Sequence, residues 1–285
     1  MVVINMSCIL KINNIYDNMT DVDKKIADYI NENKESISKL SVSELSKKSN
    51  VSSASIVRFS RKLGYSGFGE LKIEIAKDLT LNSKDYSYIV KDSDVGINNI
   101  VNNITNKSIE TIANITKLNE LATIEKAIEK IINSKNVYIF GVGASSLVAL
   151  DLQQKLLRIN KPAITFLDSH TQLMVSSNIN KDDLAISISY SGKSKEVIKS
   201  IENAKINGTK CISITKYGEN DLTNMCDINL FVPNIENNLR EGAISSRIAM
   251  LTLIDIIYIS IIQKDLNYAE SKLESSKSTV ECLKV

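Results

Sequence analysis

The chain has 285 residues, 24% of them charged and 43% apolar, with a formal net charge of +2. That length predicts about two domains, each with enough apolar side chains for a core. The near-neutral balance excludes a globally basic nucleic-acid coat, so any such surface is a local patch.

The opening stretch, MVVINMSCILKINN, turns polar too soon for a signal peptide. Residues 1–80 read as consecutive short helices with no strand. Thr20 and Asp23 have the spacing of a cap before a helix carrying Ile26, Tyr29 and Ile30. Ser41 and Glu44 repeat that signature before SVSELSKKS. Ser52 can cap a third helix that Gly64 ends, and Ser66 can open a fourth with Phe68, Leu71 and Ile75 at helical spacing. Residues 81–96 are polar and aperiodic and read as a linker. From Ile97 to about Ile132, Ile100, Ile104, Ile112, Ile115, Ala127 and Ile131 recur at helical spacing, which predicts two helices broken near Leu118 to Ala122.

Beyond that point strand and helix alternate. The strands are expected at VYIF (137–140), AITF (163–166), LAISIS (184–189), KCISIT (210–215) and INLFV (228–232). Such alternation predicts a parallel sheet covered on both faces. The apolar stretch from Ala249 to Ile262 is interrupted by Thr252, Asp255 and Ser260, and reads as a buried or interface helix. The expected organisation is a two-domain α+β chain. An all-α helix-turn-helix head fills 1–80, and a doubly wound parallel-sheet α/β domain with leading and trailing helices fills 97–285.

In the head, the helix ending near Ser49, the turn Asn50-Val51 and the helix starting at Ser52 have the spacing of a DNA-reading helix-turn-helix. At ~100° per residue, Ile56, Phe59 and Leu63 fall on one side of the second helix and Ala54, Arg58 and Arg61 opposite, with Ser55 and Lys62 on the flank. Between Glu44 and Glu70 lie five basic residues and no acidic one. Arginine can hold guanine O6 and N7 with two hydrogen bonds, or a phosphate. The expected DNA contacts are Ser52, Ser53, Ser55, Arg58, Arg61 and Lys62. The alternative is an ordinary solvated helix.

In the second domain, the first strand runs into Gly141-Val142-Gly143-Ala144-Ser145-Ser146 and then a helix. Glycine allows the sharp turn, and a helix N-terminus favours an anion. A dinucleotide fingerprint would need a third glycine where Ser146 stands, and Asp168 lies too far on to serve as its ribose acid. The third strand runs into Ser189-Tyr190-Ser191-Gly192-Lys193-Ser194, whose hydroxyls can donate to phosphate oxygens. Ser194 acting only as a helix cap is the competing reading. Two such loops at successive strand ends point to one shared anion site. His170 is the only histidine and makes no metal site. The scattered cysteines Cys8, Cys211, Cys226 and Cys282 suit a reducing cytoplasm.

The run VSELSKKSNVSSASIVRFSRKLGYSGFGELK (42–72) resembles the N-terminal domain of the RpiR/MurR family of bacterial regulators, with Ser55 where that pattern often has Thr. Residues 124–262 resemble the SIS (sugar isomerase) domain through GVGASS at 141–146, SYSGKSKE at 189–196 and ISITKYGENDLTNMCDINL at 212–230. The two resemblances in this order imply a cytoplasmic transcription regulator, not an enzyme, that binds operator DNA and responds to a phosphorylated sugar. It is expected to form a homodimer or homotetramer, without a cofactor, a metal or a membrane. The implied ligand residues are Gly143, Ser145, Ser146, Ser189, Ser191, Gly192 and Ser194, with Glu236 accepting sugar hydroxyls and Arg240 pairing with phosphate; a surface or interface ion pair is the competing reading for those two. Lys193 departs from the family pattern, which has an acidic or small residue there. A phosphosugar isomerase using Glu236, Glu241 or His170 as base, and a sugar-phosphate module without DNA binding, are the other readings.

Overall fold

The helices start where side chains can cap them. Thr20 accepts from the Asp23 N–H at 3.3 Å, and Ser41 and Glu44 form the full reciprocal capping box. Ser52 caps the next helix by accepting from the Ser55 N–H. In the computed structural model, residues 8–81, 96–235, 242–281 and 283 are described. The first helices are α1 (Cys8–Ile15), α2 (Asp21–Glu32), the single turn α3 (Lys34–Ile37), α4 (Val42–Ser49), α5 (Ser53–Lys62) and α6 (Phe68–Leu81). The chain divides into two units, Met1–Ile100 with Asn234–Glu241, and Val101–Pro233 with Gly242–Val285.

The helical unit closes around Ile12, Ile26, Ile30, Leu45, Ile56, Phe59, Leu71 and Ile75, all fully buried. These are the residues that helical spacing turns inward on each element. Asn234 joins this unit: its N–H donates to Asn14 Oδ1 at 3.1 Å and its side-chain amide to the Asn13 carbonyl.

The other unit begins with α7 (Ile97–Leu118), whose first residues group with the helical unit, and continues through α8 (Leu121–Asn133), β1 (Val137–Phe140), α9 (Ala144–Arg158), β2 (Ala163–Ile164), α10 (Ser169–Ser176), β3 (Leu184–Ile188), α11 (Lys195–Ile206), β4 (Lys210–Lys216), α12 (Asp221–Met225), β5 (Ile228–Val232), α13 (Ile244–Lys264) and α14 (Leu266–Glu281). The five strands are parallel in the order β2-β1-β3-β4-β5. Alternate strand residues feed two cores. Val137, Ile139, Ile186 and Ile212 pack towards α8, α9 and α13, whereas Phe140, Ala185 and Cys211 share the opposite core with Val197 and Ile201 of α11.

The expected strand 163–166 shortens to two residues. Beyond Ile164 the chain leaves the ladder, and the Phe166 carbonyl accepts instead from the Gln172 side chain at 2.6 Å. Helix α7 also departs from the inward-facing set its spacing suggests: Ile115 is buried, but Ile100, Ile104 and Ile112 are exposed. By length and composition α13 would pass for a membrane span. Ala249, Met250, Leu253, Ile254 and Ile257 are nevertheless buried in the core it shares with α9 and β5, as in the core helix of a globular sheet protein. The expected linker, residues 82–95 in particular, lies outside the described residues.

Burial pushes the Cys211 thiol up to about 12 and the Cys226 thiol up to about 11. Both are therefore neutral thiols at pH 8, and only the thiolate attacks alkylating reagents. Iodoacetamide labelling with peptide mapping is expected to spare both in the native chain and to modify both in denaturant. Rapid native labelling would mean that this second core is open.

Candidate functional site

Two places carry chemistry, one in each unit. In the helical unit, the turn between α4 and α5 is pinned from both sides. Asn50 takes the left-handed conformation (φ 53°), the Val51 N–H donates to the Ser46 carbonyl at 3.1 Å, and the Ser46 hydroxyl returns to the Val51 carbonyl at 2.6 Å. This fixes the angle at which α5 leaves. Ile56 and Phe59 are fully buried, and Arg58 and Arg61 stand on the exposed face with Ala54.

The hydroxyls at the start of α5 form a small network. Ser52 and Ser55 lie 2.9 Å apart, and Arg58 Nη2 donates to Ser55 Oγ at 3.1 Å. Ser55 is buried, so its hydroxyl orients Arg58 from within. Ser52 is exposed and Ser53 half-exposed, beside the N–H groups of the helix start, where the dipole favours phosphate. Arg61 Nε lies 3.4 Å from the Ser66 carbonyl, at the long end of hydrogen bonding. Lys62 is paired with Asp23 at 3.0 Å, so using it on DNA requires exchanging that exposed ion pair, a small cost.

In the sheet unit, β1 and β3 are adjacent, with Phe140 paired to Ser187. The chain goes to β2 on one side of β1 and then returns to β3 on the other. The crevice between them is thus the point where strand order reverses, the usual ligand position in such sheets. The loops 141–146 and 189–194 leave from these two strands at the same edge. A methyl group added at Gly141 would lie 3.0 Å from the Ser145 carbonyl oxygen and 3.2 Å from that of Ile188, so the loops are in contact at their roots. Gly143 has φ 59° and ψ −130°, a conformation for glycine, and α9 starts directly behind it.

The hydroxyls are disposed as follows. Ser145 is half-exposed, and Ser146 donates to the Gly143 carbonyl at 2.7 Å. Ser189 is buried with its Oγ 2.9 Å from that of Ser194, and Ser191 Oγ accepts from the Lys193 N–H. Ser194 stands at the N-cap of α11 yet makes no side-chain capping bond; its hydroxyl faces Ser189 across the loop. A serine that merely capped the helix would accept from the helix N–H groups instead. Of the sequence-predicted loop serines, Ser189 and Ser194 are thus brought together, Ser145 and Ser146 stand on the neighbouring loop, and Glu236 and Arg240 lie outside the described residues. His170 is exposed on α10. Asp168 caps α10, accepting from the Thr171 N–H and hydroxyl at 2.7 Å each, and these bonds hold its carboxyl below the usual range. A carboxylate so engaged is a poor ribose acid. Among the described residues, no cluster of His, Cys, Asp and Glu is placed to hold a metal.

Three supporting residues escaped the sequence reading. Gln172, buried on α10, accepts from the Gly141 N–H at 3.1 Å and donates to the Gly141 carbonyl at 2.9 Å. It fixes the root of the first loop. Asn220 fills the space where a side chain on Gly192 would stand and donates to Thr215 Oγ1 at 3.1 Å. Tyr190 donates its hydroxyl to the Pro233 carbonyl at 3.2 Å. Each acts across 31, 28 or 43 residues of chain, a distance at which neighbouring residues carry no signal of the contact.

The chain matches the model of the rpiR-family helix-turn-helix domain over residues 6–82 and that of the SIS domain over residues 130–260. An HTH-type transcriptional regulator of Caldanaerobacter subterraneus subsp. tengcongensis is 39% identical over 93% of this chain and 94% of its own. One from Clostridium perfringens is 34% identical over 92% and 94%. Among solved structures, the Vibrio vulnificus NanR protein complexed with ManNAc-6P superposes with a TM-score of 0.62 at 24% identity, covering 97% of this chain and 98% of that one. At that identity the likeness speaks for the fold.

Gly192 has φ 68°, and an added Cβ would lie 2.1 Å from Asn220 side-chain atoms. Gly192→Ala is expected to destabilise the full chain by about 1–3 kcal/mol in a urea melt through strain and overpacking. An unchanged midpoint would mean that the loop does not rest on Asn220.

Proposed function

The chain belongs to the rpiR family of helix-turn-helix transcriptional regulators that carry a SIS domain, and from that membership we propose that a phosphorylated sugar, held between the loops 141–146 and 189–194, modulates its grip on operator DNA. The observation that carries this reading is the convergence of the two loops at the sheet's reversal point, with Ser189 and Ser194 facing each other and α9 and α11 starting behind. Hydroxyls and helix N-termini can bind a phosphoryl group without a catalytic base. Gly143, Ser145, Ser146, Ser189, Ser191, Gly192 and Ser194 line the phosphate, and Glu236 and Arg240 complete the sugar end.

On DNA, Arg58 reads a base edge in the major groove, with Ser55 holding its guanidinium. Ser52, Ser53, Arg61 and Lys62 hold backbone phosphates. The protein acts as a homodimer or homotetramer in the cytoplasm, where DNA and sugar phosphates are both at hand. Chain continuity offers one route for the signal. Tyr190 of the serine loop holds Pro233, and the next residue, Asn234, belongs to the helical unit. The coupling is reciprocal, so DNA must change sugar-phosphate affinity by the factor by which the sugar phosphate changes DNA affinity. The ManNAc-6P complex of the Vibrio relative makes amino-sugar phosphates the first class to try.

The test is fluorescence anisotropy with a DNA fragment from upstream of the protein's own gene, at fixed salt, with and without ManNAc-6P and other sugar phosphates. One of them is expected to shift the DNA midpoint. No binding to any upstream fragment at low salt would remove the DNA reading. DNA binding indifferent to every sugar phosphate would remove the gating. Arg58→Ala is expected to weaken specific binding by about 1–3 kcal/mol. Ser145→Ala or Ser191→Ala is expected to weaken phosphosugar binding by about 1.5–3 kcal/mol, the range for a hydrogen bond to a charged group, while DNA affinity without ligand stays unchanged. Turnover of a sugar phosphate by the purified chain would restore the isomerase reading.

A further inference from the structure

The chain passes from the sheet unit into the helical unit at the peptide between Pro233 and Asn234. Both polar groups of this one peptide are taken by side chains. Its carbonyl accepts from the Tyr190 hydroxyl at 3.2 Å, and its N–H donates to Asn14 Oδ1 at 3.1 Å. A peptide is planar, so the two groups turn together as one plate. The proline ring locks φ, which leaves ψ of Pro233 to set the tilt of that plate. The Tyr190 hydroxyl holds the tilt.

On the far side, Asn234 is bound to the end of α1. Its side-chain amide donates to the Asn13 carbonyl at 2.6 Å, and Asn13 Oδ1 in turn accepts from Asn31 Nδ2 of α2 at 3.0 Å. Asn14, the acceptor of the Asn234 N–H, is buried. Helix α2 packs against α5, the helix that carries Arg58.

On the near side, Tyr190 stands between Ser189 and Ser191, and its ring packs on the core of the sheet. Ser189 Oγ and Ser194 Oγ share a hydrogen bond at 2.9 Å. A hydroxyl has one proton, so one of this pair spends its proton on the other. A phosphoryl group that accepts from both opens that bond. The loop therefore has two hydrogen-bonded arrangements, one closed on itself and one turned to a ligand, and Tyr190 sits among the residues that change.

We propose that the 233–234 peptide is the joint through which the state of the serine loop reaches the helical unit, with the Tyr190 hydroxyl as its handle. The inference rests on the gating reading above and deepens it, by assigning the coupling to named groups that touch neither DNA nor sugar phosphate. Coupling of this kind needs an element that both sites bias. The plate qualifies, because its carbonyl answers to the loop and its N–H to α1.

The test is the ratio of DNA dissociation constants with and without saturating ManNAc-6P, or the sugar phosphate of the panel above that shifts the midpoint. It is read on the full chain by anisotropy, with circular dichroism melts alongside. Because the ligand is saturating, a change in ligand affinity alone leaves the ratio untouched. Wild type is expected to give a ratio of about 5–150 in either direction, the usual range of coupling between sites. Tyr190→Phe and Asn234→Ala are each expected to bring it at least about threefold closer to one. Since both act on one plate, the double variant is expected to lose no more than the stronger single. A wild type indifferent to every sugar phosphate overturns the gating reading and this inference with it. Folded single variants coupled like wild type, or a double variant whose losses multiply, overturn the inference alone. If Tyr190→Phe does not fold, Asn234→Ala is judged by the same ratio.

Discussion

The sheet-bearing unit depends on the parallel pairing of β1 with β3. The chain leaves β1 through α9, visits β2 and α10, and only then returns to lay β3 against the other side of β1. Leu184, which opens β3, pairs with Val137, and Phe140 at the end of β1 pairs with Ser187. Both strands end at one edge, and both are followed by a glycine-bearing turn and a helix. Two helix N-termini therefore start behind neighbouring strand ends. The ladder between the strands is what sets the two loops side by side.

The supports of those loops are polar and buried. Gln172 holds both backbone groups of Gly141, and Asn220 fills the space over Gly192. A buried amide is stable only with its bonds made, so each support also restricts the loop to one shape. The two loops are thus held from behind by residues outside them. The same logic holds in the helical unit, where Ser55 is buried and directs Arg58 from the inside face of α5.

The two long apolar helices show why composition alone misleads. Helix α13 is apolar enough to cross a bilayer, yet it closes the core over β5 and α9. Helix α7 has its isoleucines at helical spacing, yet several of them face outward while Asn114 and Thr111 are buried. Spacing says that a helix has an apolar face. It does not say what covers that face, because an intrachain core and a second copy of the chain reward the same pattern.

The elements and their order could be read along the chain before any coordinates. Caps at Thr20, Ser41 and Ser52 marked helix starts, and alternating strands and helices implied the doubly wound sheet. Arg58 and Arg61 fell on the open face of α5, and both glycine-serine loops stood out, because periodicity and glycine-serine turns are local signals written in neighbouring residues. Folding in three dimensions was needed to stop β2 at Ile164, to turn Ser194 towards Ser189 instead of its own helix, and to bring Gln172 and Asn220 against the loops. Those outcomes depend on which distant groups meet once the chain has folded, and a buried hydrogen bond leaves no trace in the residues on either side of its donor.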